Sequence, residues 1–449
     1  MEVAGKSRRS IITPQKNYSK SFAYWSAAVF LLKIIISMNI AGGAWYAADG
    51  VNYIKGVEAL LNDGVFSKES NLTYWPAGYP LIIYLLSFAG INWVFSALAI
   101  VQSALFSFST YFFAKQLLGS RIKKYAPIAF FFIILNPTLS LSSLSVGYES
   151  FAASGSLLIL GVIQKDLNEK NESQFLKHLI FVSVITGALV FMQPRLIIAG
   201  VLVLAIWIFI RKPKKLVPIF LSTAIFIVML FPGALVVRNI QASGVAAVST
   251  NLGVTMDIGA GDLATGGYDS KVHGVKCKVD TNDLAKADNQ KVMCVLKWYS
   301  ENPGKALKLF YNKTVYFWSP WSGPVLSGTM GLNPWLKINP ITNINKTADG
   351  AELIGSLFGK VIAYLWILAG LFLLFYGFSI LWRAKGIEQS IGALALIVVC
   401  SSWAVTLISI GDHRFRLPIM GMSLFLQSIG LKTLLSGRKS QMVDGTTLR

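Results

Sequence analysis

The chain has 449 residues, 54% of them hydrophobic and 14% charged, with a mean hydropathy of +0.57. Lys and Arg outnumber Asp and Glu by 41 to 21, a formal net charge of +20. That composition excludes an ordinary soluble domain. The placing of the charge argues against a nucleic-acid partner, because the basic clusters at 6–20, 115–124, 165–177, 211–215, 383–385 and 432–439 lie between or beside apolar runs. Cytoplasmic loops facing anionic lipid heads have that pattern.

A helix crosses a bilayer with about 20 mostly apolar residues. In chain order, spans are expected near 22–41, 91–118, 125–139, 145–164, 176–193, 196–211, 216–235, 354–382, 389–410 and 414–436. The expectation is an all-α polytopic membrane protein of about ten helices. The stretch before Phe22 has no apolar h-region, so no cleavable signal is expected. With the basic clusters inside, 1–21 and 437–449 are cytoplasmic tails. The unit 22–235 has seven spans and an external loop at 42–90, 236–353 is a large external segment, and 354–436 holds the C-terminal spans. The segment 81–89 is too short to cross and reads as a helix along the outer interface, a pair of short spans being the alternative.

The first external loop carries Asp49-Gly-Val-Asn-Tyr53, then Asn62-Asp63-Gly64, then Tyr74-Trp75-Pro76-Ala77-Gly78-Tyr79-Pro80. Residues 50–62 have Val51, Ile54, Val57, Leu60 and Leu61 along one side of a helix that can lie on the membrane. Asp49 suits its N-cap. The helix terminus also keeps the carboxylate ionised, as a general base must be. The two roles are compatible.

Asn136-Pro137 breaks the third span and turns Gly147-Tyr148-Glu149-Ser150 outward. An ionisable group there is a functional candidate by default, the plain alternative being an interface Glu that reaches water. Arg195, in Gln193-Pro194-Arg195, suits a phosphate or an ion pair with Glu149, with equal weight. Arg238 leaves the seventh span at headgroup depth. The run from Gly259 to Tyr268 is glycine-rich but lacks Walker or Rossmann spacing, and alone it reads as turns. Glu301-Asn302-Pro303-Gly304 starts a helix over 307–318, in which Lys313 either meets phosphate or snorkels. Trp318, Trp321 and Trp335 suit interface anchoring.

The last span opens with Gly411-Asp412-His413-Arg414-Phe415-Arg416-Leu417-Pro418. Two arginines on the outer side oppose the positive-inside bias and call for an anion, either a lipid phosphate or Asp412. Lys33, inside the first span, has no assigned role. Cys277 and Cys294 share the external segment, where a disulfide is compatible with an oxidising compartment. Cys400 lies in a span. His273 and His413 are isolated, so zinc is not supported.

The order of these elements resembles the GT-C membrane glycosyltransferases, in particular family 39 and the dolichyl-phosphate-mannose and bacterial lipid-linked sugar types. Asp49 with Tyr53 matches the acidic residue and following Tyr, and 74–80 looks like the family's Pro-Gly-Tyr-Pro turn. Ser249-Thr250-Asn251-Leu252-Gly253 and the run to Tyr268 are similar to its external loop, and Arg414–Pro418 to its Arg-Tyr-Arg-Leu-Pro element. Three positions depart: Ala48 replaces half of an acidic pair, Asp262 an Asn, and Phe415 a Tyr. The resemblance implies Asp49 and Glu149 as catalytic residues. It implies Arg195, Arg238, Lys313, Arg414 and Arg416 as contacts to the donor phosphate, and Tyr53, Tyr74, Tyr79, Asn251 and Asp262 on the substrate side.

The implied donor is a polyprenyl-phosphate sugar and the acceptor a glycan, lipid or protein hydroxyl. Transfer would be inverting, on the periplasmic side of a bacterial inner membrane. No cofactor is assigned; a divalent cation, Mg2+ or Mn2+, stays open at the Asp49/Glu149 pair. The alternatives are a polysaccharide polymerase or ligase using a lipid-diphosphate oligosaccharide and, behind it, a transporter.

Overall fold

The structure is a computed structural model that describes residues 13–41, 43–44, 49–88, 90–268, 274–320 and 357–444. Ala48, His273 and residues 321–356, Trp321 and Trp335 among them, lie outside the described residues. The regular structure among the described residues is helical. In chain order the α-helices are α1 (Thr13–Ile36), α2 (Asp49–Asp63), α3 (Asn71–Tyr74), α4 (Gly78–Ser87) and α5 (Val94–Leu118). Then come α6 (Ala126–Ile134), α7 (Pro137–Leu141), α8 (Glu149–Glu169), α9 (Glu172–Met192), α10 (Ile197–Arg211) and α11 (Val217–Ser243). Next are α12 (Leu252–Ile258), α13 (Leu284–Glu301) and α14 (Pro303–Trp318), and the last are α15 (Leu357–Ala384), α16 (Gly386–Ile408) and α17 (Leu417–Asp444).

Eight of the described helices are long and apolar enough to cross a membrane, and the bent pair 123–134 and 137–144 makes up to nine. The protein is thus an integral membrane protein. The remaining expected span, the fourth, is α8, a 21-residue helix less apolar than its neighbours because it carries Glu149, Lys165, Asp166 and Glu169. It is also the most enclosed, packing against α5, α9 and α17. The third span departs from the expected 125–139. Its axis bends by 56° at Asn136-Pro137, where proline cannot continue the helix and the Asn136 side chain caps α7 instead. The chain then runs through a short buried piece to residue 144 before α8 begins.

The helices that follow the first span, α2 and α4, pack at one end of the bundle. α2 buries Tyr53, Gly56, Val57 and Leu60; of the apolar side expected from the sequence, Val57 and Leu60 are buried whereas Val51 and Leu61 are exposed. Gly78 starts α4 against the end of α9: a Cβ there would lie 2.0 Å from the Phe191 carbonyl oxygen, so no larger residue fits. α13 and α12 pack on each other as a small external unit, closed by a Cys277–Cys294 disulfide.

At the opposite ends of α8, α9 and α10, buried Asp166 takes hydrogen bonds from Trp207 Nε1 and Arg211 Nε, each at 3.1 Å. Arg211 and Lys212 both pair with Glu172. This network ties those ends of the three helices together.

Candidate active site

The outer ends of α2, α8 and α17 bring two carboxylates and an arginine together. Arg414 Nη1 donates to Asp49 Oδ2 at 2.5 Å, and its Nε stands 3.0 Å from Glu149 Oε1. Residues 413–416 form a 3-10 turn whose start is fixed by the Arg414 amide donating to Asp412 Oδ1 at 2.8 Å. The Glu149 and Arg414 side chains are only 6% and 7% exposed, whereas Asp49 is 25% exposed. Asp49 is therefore the carboxylate a substrate can reach, with Glu149 behind it. Gly147 makes room for that arrangement, since a Cβ there would come within 2.3 Å of Glu149 Oε2.

Arg195 completes the cluster from the start of α10. It donates to Tyr148 Oη, and its guanidinium lies 3.7 Å from the centroid of the Phe415 ring. Stacking on an aromatic face fixes the plane of a guanidinium while leaving its edge free for an anion. Leu196, the next residue, lines a small apolar cleft together with Ile159, Leu189, Val203, Ile419 and Met422.

The tyrosines of the first loop form the wall beside Asp49. Tyr53 packs edge-on against Tyr79 at 5.1 Å and Trp75 at 6.2 Å, and Tyr79 Oη accepts the Gly147 amide hydrogen at 2.8 Å. Burial, then the charges of Glu149 and Asp49, pushes the Tyr53 hydroxyl well above its usual range. Burial also raises the Tyr74 hydroxyl, followed by Asp288, Tyr268 and Asp49. Both therefore stay protonated at neutral pH and can donate to a substrate oxygen.

The other expected contacts lie apart from this cluster. Arg238 is buried beneath the first loop, where its donors go to the carbonyls of Val65 and Ser67, a long bond to Leu72 O, and Asn239 Oδ1. Arg416 donates to the carbonyls of Trp318 at 2.8 Å and Ser319 at 3.4 Å. Lys313 is buried and donates to Tyr299 Oη at 2.7 Å and Leu407 O at 2.9 Å. The hydrogen bonds of these three residues go mainly to backbone carbonyls. Asp262 is an exposed residue ion-paired with Lys305 at 2.8 Å. Asn251 heads α12, one residue after Thr250, whose amide bonds to Thr73 O at 3.1 Å.

Two residues near the site had no signal in the sequence. Tyr148 was visible only as a neighbour of Glu149, yet it positions Arg195. Asp288, in a polar stretch of α13, accepts the Gly253 amide at 2.7 Å and anchors the start of α12.

Among the described residues, no group of three or more His, Cys, Asp or Glu side chains converges to hold a metal ion. At the Asp49/Glu149 pair the Arg414 guanidinium takes the position between the carboxylates, so the pair in this geometry does not fit a divalent ion.

The chain is similar to solved structures of the archaeal oligosaccharyltransferase AglB from Archaeoglobus fulgidus. Against the complex with an inhibitory peptide and a dolichol-phosphate, the TM-score is 0.44 and the identity 12%, covering 95% of this chain and 52% of that one. Against the complex with Zn and sulfate, the TM-score is 0.44 and the identity 14%, covering 91% and 49%. Against the form tethered to an acceptor peptide containing the NVT sequon, the values are 0.44 and 14%, covering 92% and 50%. The chain spans about half the length of these structures. No protein-family model and no curated protein matches it.

Proposed function

We propose that the protein is an integral membrane glycosyltransferase of the GT-C type, transferring a sugar from a polyprenyl-phosphate donor to an acceptor hydroxyl on the external face. One observation carries this reading: a partly exposed carboxylate, Asp49, is held by Arg414, whose neighbour Phe415 stacks a second arginine, Arg195. A base and an anion contact beside an apolar surface, here the small cleft that Leu196 lines, are what transfer from a lipid-phosphate sugar requires.

In this mechanism the acceptor oxygen attacks the anomeric carbon while Asp49 removes its proton. The bond from that carbon to the phosphate oxygen breaks, and polyprenyl phosphate leaves with the electron pair. A single displacement inverts the anomeric centre. Arg414 holds Asp49 Oδ2, leaving Oδ1 for the acceptor, and Glu149 fixes Arg414 from behind. Arg195 offers its remaining N–H donors to the departing phosphate, where charge develops.

The charge of the cluster supports a monophosphate carrier. Asp49, Glu149, Arg414 and Arg195 sum to zero, so a phosphodiester leaves a single negative charge and a diphosphate leaves two, with Arg195 as their described cationic contact. The test is transfer by purified protein in lipid, using a panel of radiolabelled polyprenyl-phosphate monosaccharides beside lipid-diphosphate oligosaccharides. Consumption of one monophosphate donor, with inversion at the new linkage, supports the proposal. Consumption of the diphosphate series alone replaces it with a ligase or polymerase, and uptake of sugar without transfer replaces it with a transporter.

A further inference from the structure

Lys33 takes no part in the chemistry above, yet it is one of the most deeply buried side chains, 2% exposed. It lies in α1, six residues before Asn39 at the outer end of that span, which is about 9 Å along the helix axis. An ammonium at such depth is costly, and an aliphatic residue would pack there at less expense. Its contacts show what it does. Nζ donates to Ser143 Oγ at 3.1 Å and lies 4.5 Å from the centroid of the Phe106 ring.

Ser143 is the centre of a buried polar cluster. Ser103 Oγ stands 3.1 Å from Ser143 Oγ, and Gln102 Nε2 donates to the Ser143 and Ser145 carbonyls at 3.2 and 2.9 Å. Ser143 Oγ in turn donates to Ser140 O at 2.8 Å. These bonds gather on the turn joining the short piece after Pro137 to α8. Backbone outside a regular helix survives at membrane depth only where protein groups satisfy it. Gln102 reaches that turn from α5 and Lys33 from α1, the lysine because its long stem carries a donor past the Phe106 ring. Four residues beyond Ser143 the Gly147 amide is held by Tyr79, and Glu149 follows.

We infer that Lys33 is a positioning residue: acting through Ser143, and together with Gln102, it fixes the turn 143–147 and thereby sets the Glu149 carboxylate against Arg414. The catalytic consequence rests on the transferase reading; the structural one does not. Lys33 acts from inside the first span on a carboxylate at the head of the fourth, so its loss alters chemistry more than donor binding. A misplacement on the order of 1 Å at a reacting group costs about 100-fold in rate.

The test compares wild type, Lys33→Met, Ser143→Ala and the double variant, all full length in lipid nanodiscs. Hydrogen exchange of the peptide covering 139–150 is measured beside kcat and KM for the polyprenyl-phosphate donor. In Lys33→Met the expected result is exchange several-fold faster in that peptide alone, kcat lower by about 10- to 100-fold, and donor KM unchanged. The double variant then loses no more than the worse single variant, because both act through one bond. Unchanged exchange in 139–150, or additive losses in the double variant, overturns the inference. A merely structural role would lower the unfolding temperature and leave kcat per folded molecule intact, which also overturns it. If wild type consumes no donor, the transferase reading fails, and the exchange measurement still decides the positioning of the turn.

Discussion

Asp49 and Arg414 stand 365 residues apart in sequence and 2.5 Å apart at Oδ2 and Nη1. The pair joins the first external loop to the last span, and the same guanidinium meets Glu149. Its chemistry makes two substitutions informative. Asp49→Asn keeps shape and hydrogen bonding but cannot take a proton, so turnover is expected to fall by about 100-fold or more with folding and lipid-donor binding retained. Arg414→Lys supplies a point charge that cannot span both carboxylates, so it should lose activity despite its conserved charge. Donor-consumption assays on both variants check this, and full activity in Asp49→Asn removes Asp49 as the base.

A second expectation concerns metal. Since the Arg414 guanidinium sits between the two carboxylates, transfer is expected to continue unchanged after exhaustive treatment with a chelator. Loss of turnover that Mg2+ or Mn2+ restores would show that the carboxylates exchange their arginine for an ion during the reaction.

Arg195 and Arg238 should separate binding from stability. Arg195 keeps donors available at the cluster, so Arg195→Met is expected to raise donor KM by about tenfold or more with little change in unfolding temperature. Arg238 holds the carbonyls of Val65, Ser67 and Leu72. Arg238→Met leaves them unsatisfied at about 1–3 kcal/mol each, so it should lower the unfolding temperature while donor KM stays near wild type. Thermal melts and steady-state kinetics on the same preparations test both halves. A raised KM without destabilisation in Arg238→Met returns that residue to the phosphate site.

Much of this was legible in the sequence, and what was not legible has a common cause. Most of the expected spans overlap a long apolar helix, although the seventh runs on to Ser243, and the helix of the first loop appeared as Asp49–Asp63 against an expected 50–62. Asn136-Pro137 marked the break in the third span. Individual roles of the cations were not legible. Arg195, Arg238 and Arg416 lie at or near helix ends and Lys313 within α14, and in the sequence each was a phosphate candidate. What separates them is whether a neighbouring backbone carbonyl is within reach, which depends on contacts between residues far apart in the chain, such as Arg238 with Val65 or Lys313 with Leu407. Lys33 was visible as an anomaly, but its partner Ser143 lies 110 residues away.

The external unit should depend on its disulfide. Cys277–Cys294 closes a short loop onto α13, and a loop of that size contributes about 3 kcal/mol through the unfolded chain. Reduction, or the Cys277→Ser/Cys294→Ser pair, is expected to make α12 and α13 exchange amide hydrogens faster and to leave the spans unaffected. Equal exchange with and without reductant would mean that the packing of α12 on α13 holds the unit by itself.

Lys313 gives the external unit a pH dependence whose direction can be worked out. The residue lies in α14, outside the spans, and burial pushes its ammonium down from 10.5 to about 7. Below pH 7 the folded and unfolded chains both hold the proton, and the burial penalty acts in full. Between about pH 7 and 10.5 the unfolded chain keeps the proton and the folded one releases it, so stability rises with pH across that window. Burial raises the hydroxyl of its partner Tyr299, which keeps that group from titrating there. The unfolding temperature of wild type should therefore climb relative to Lys313→Met between pH 6.5 and 9, measured by thermal shift in the same lipid. The variant has no group to titrate at this position, so the difference between the two curves isolates the lysine from every other ionisable residue. Parallel curves would mean that Lys313 keeps its proton in the folded state, with Tyr299 and the Leu407 carbonyl sufficing to stabilise the charge.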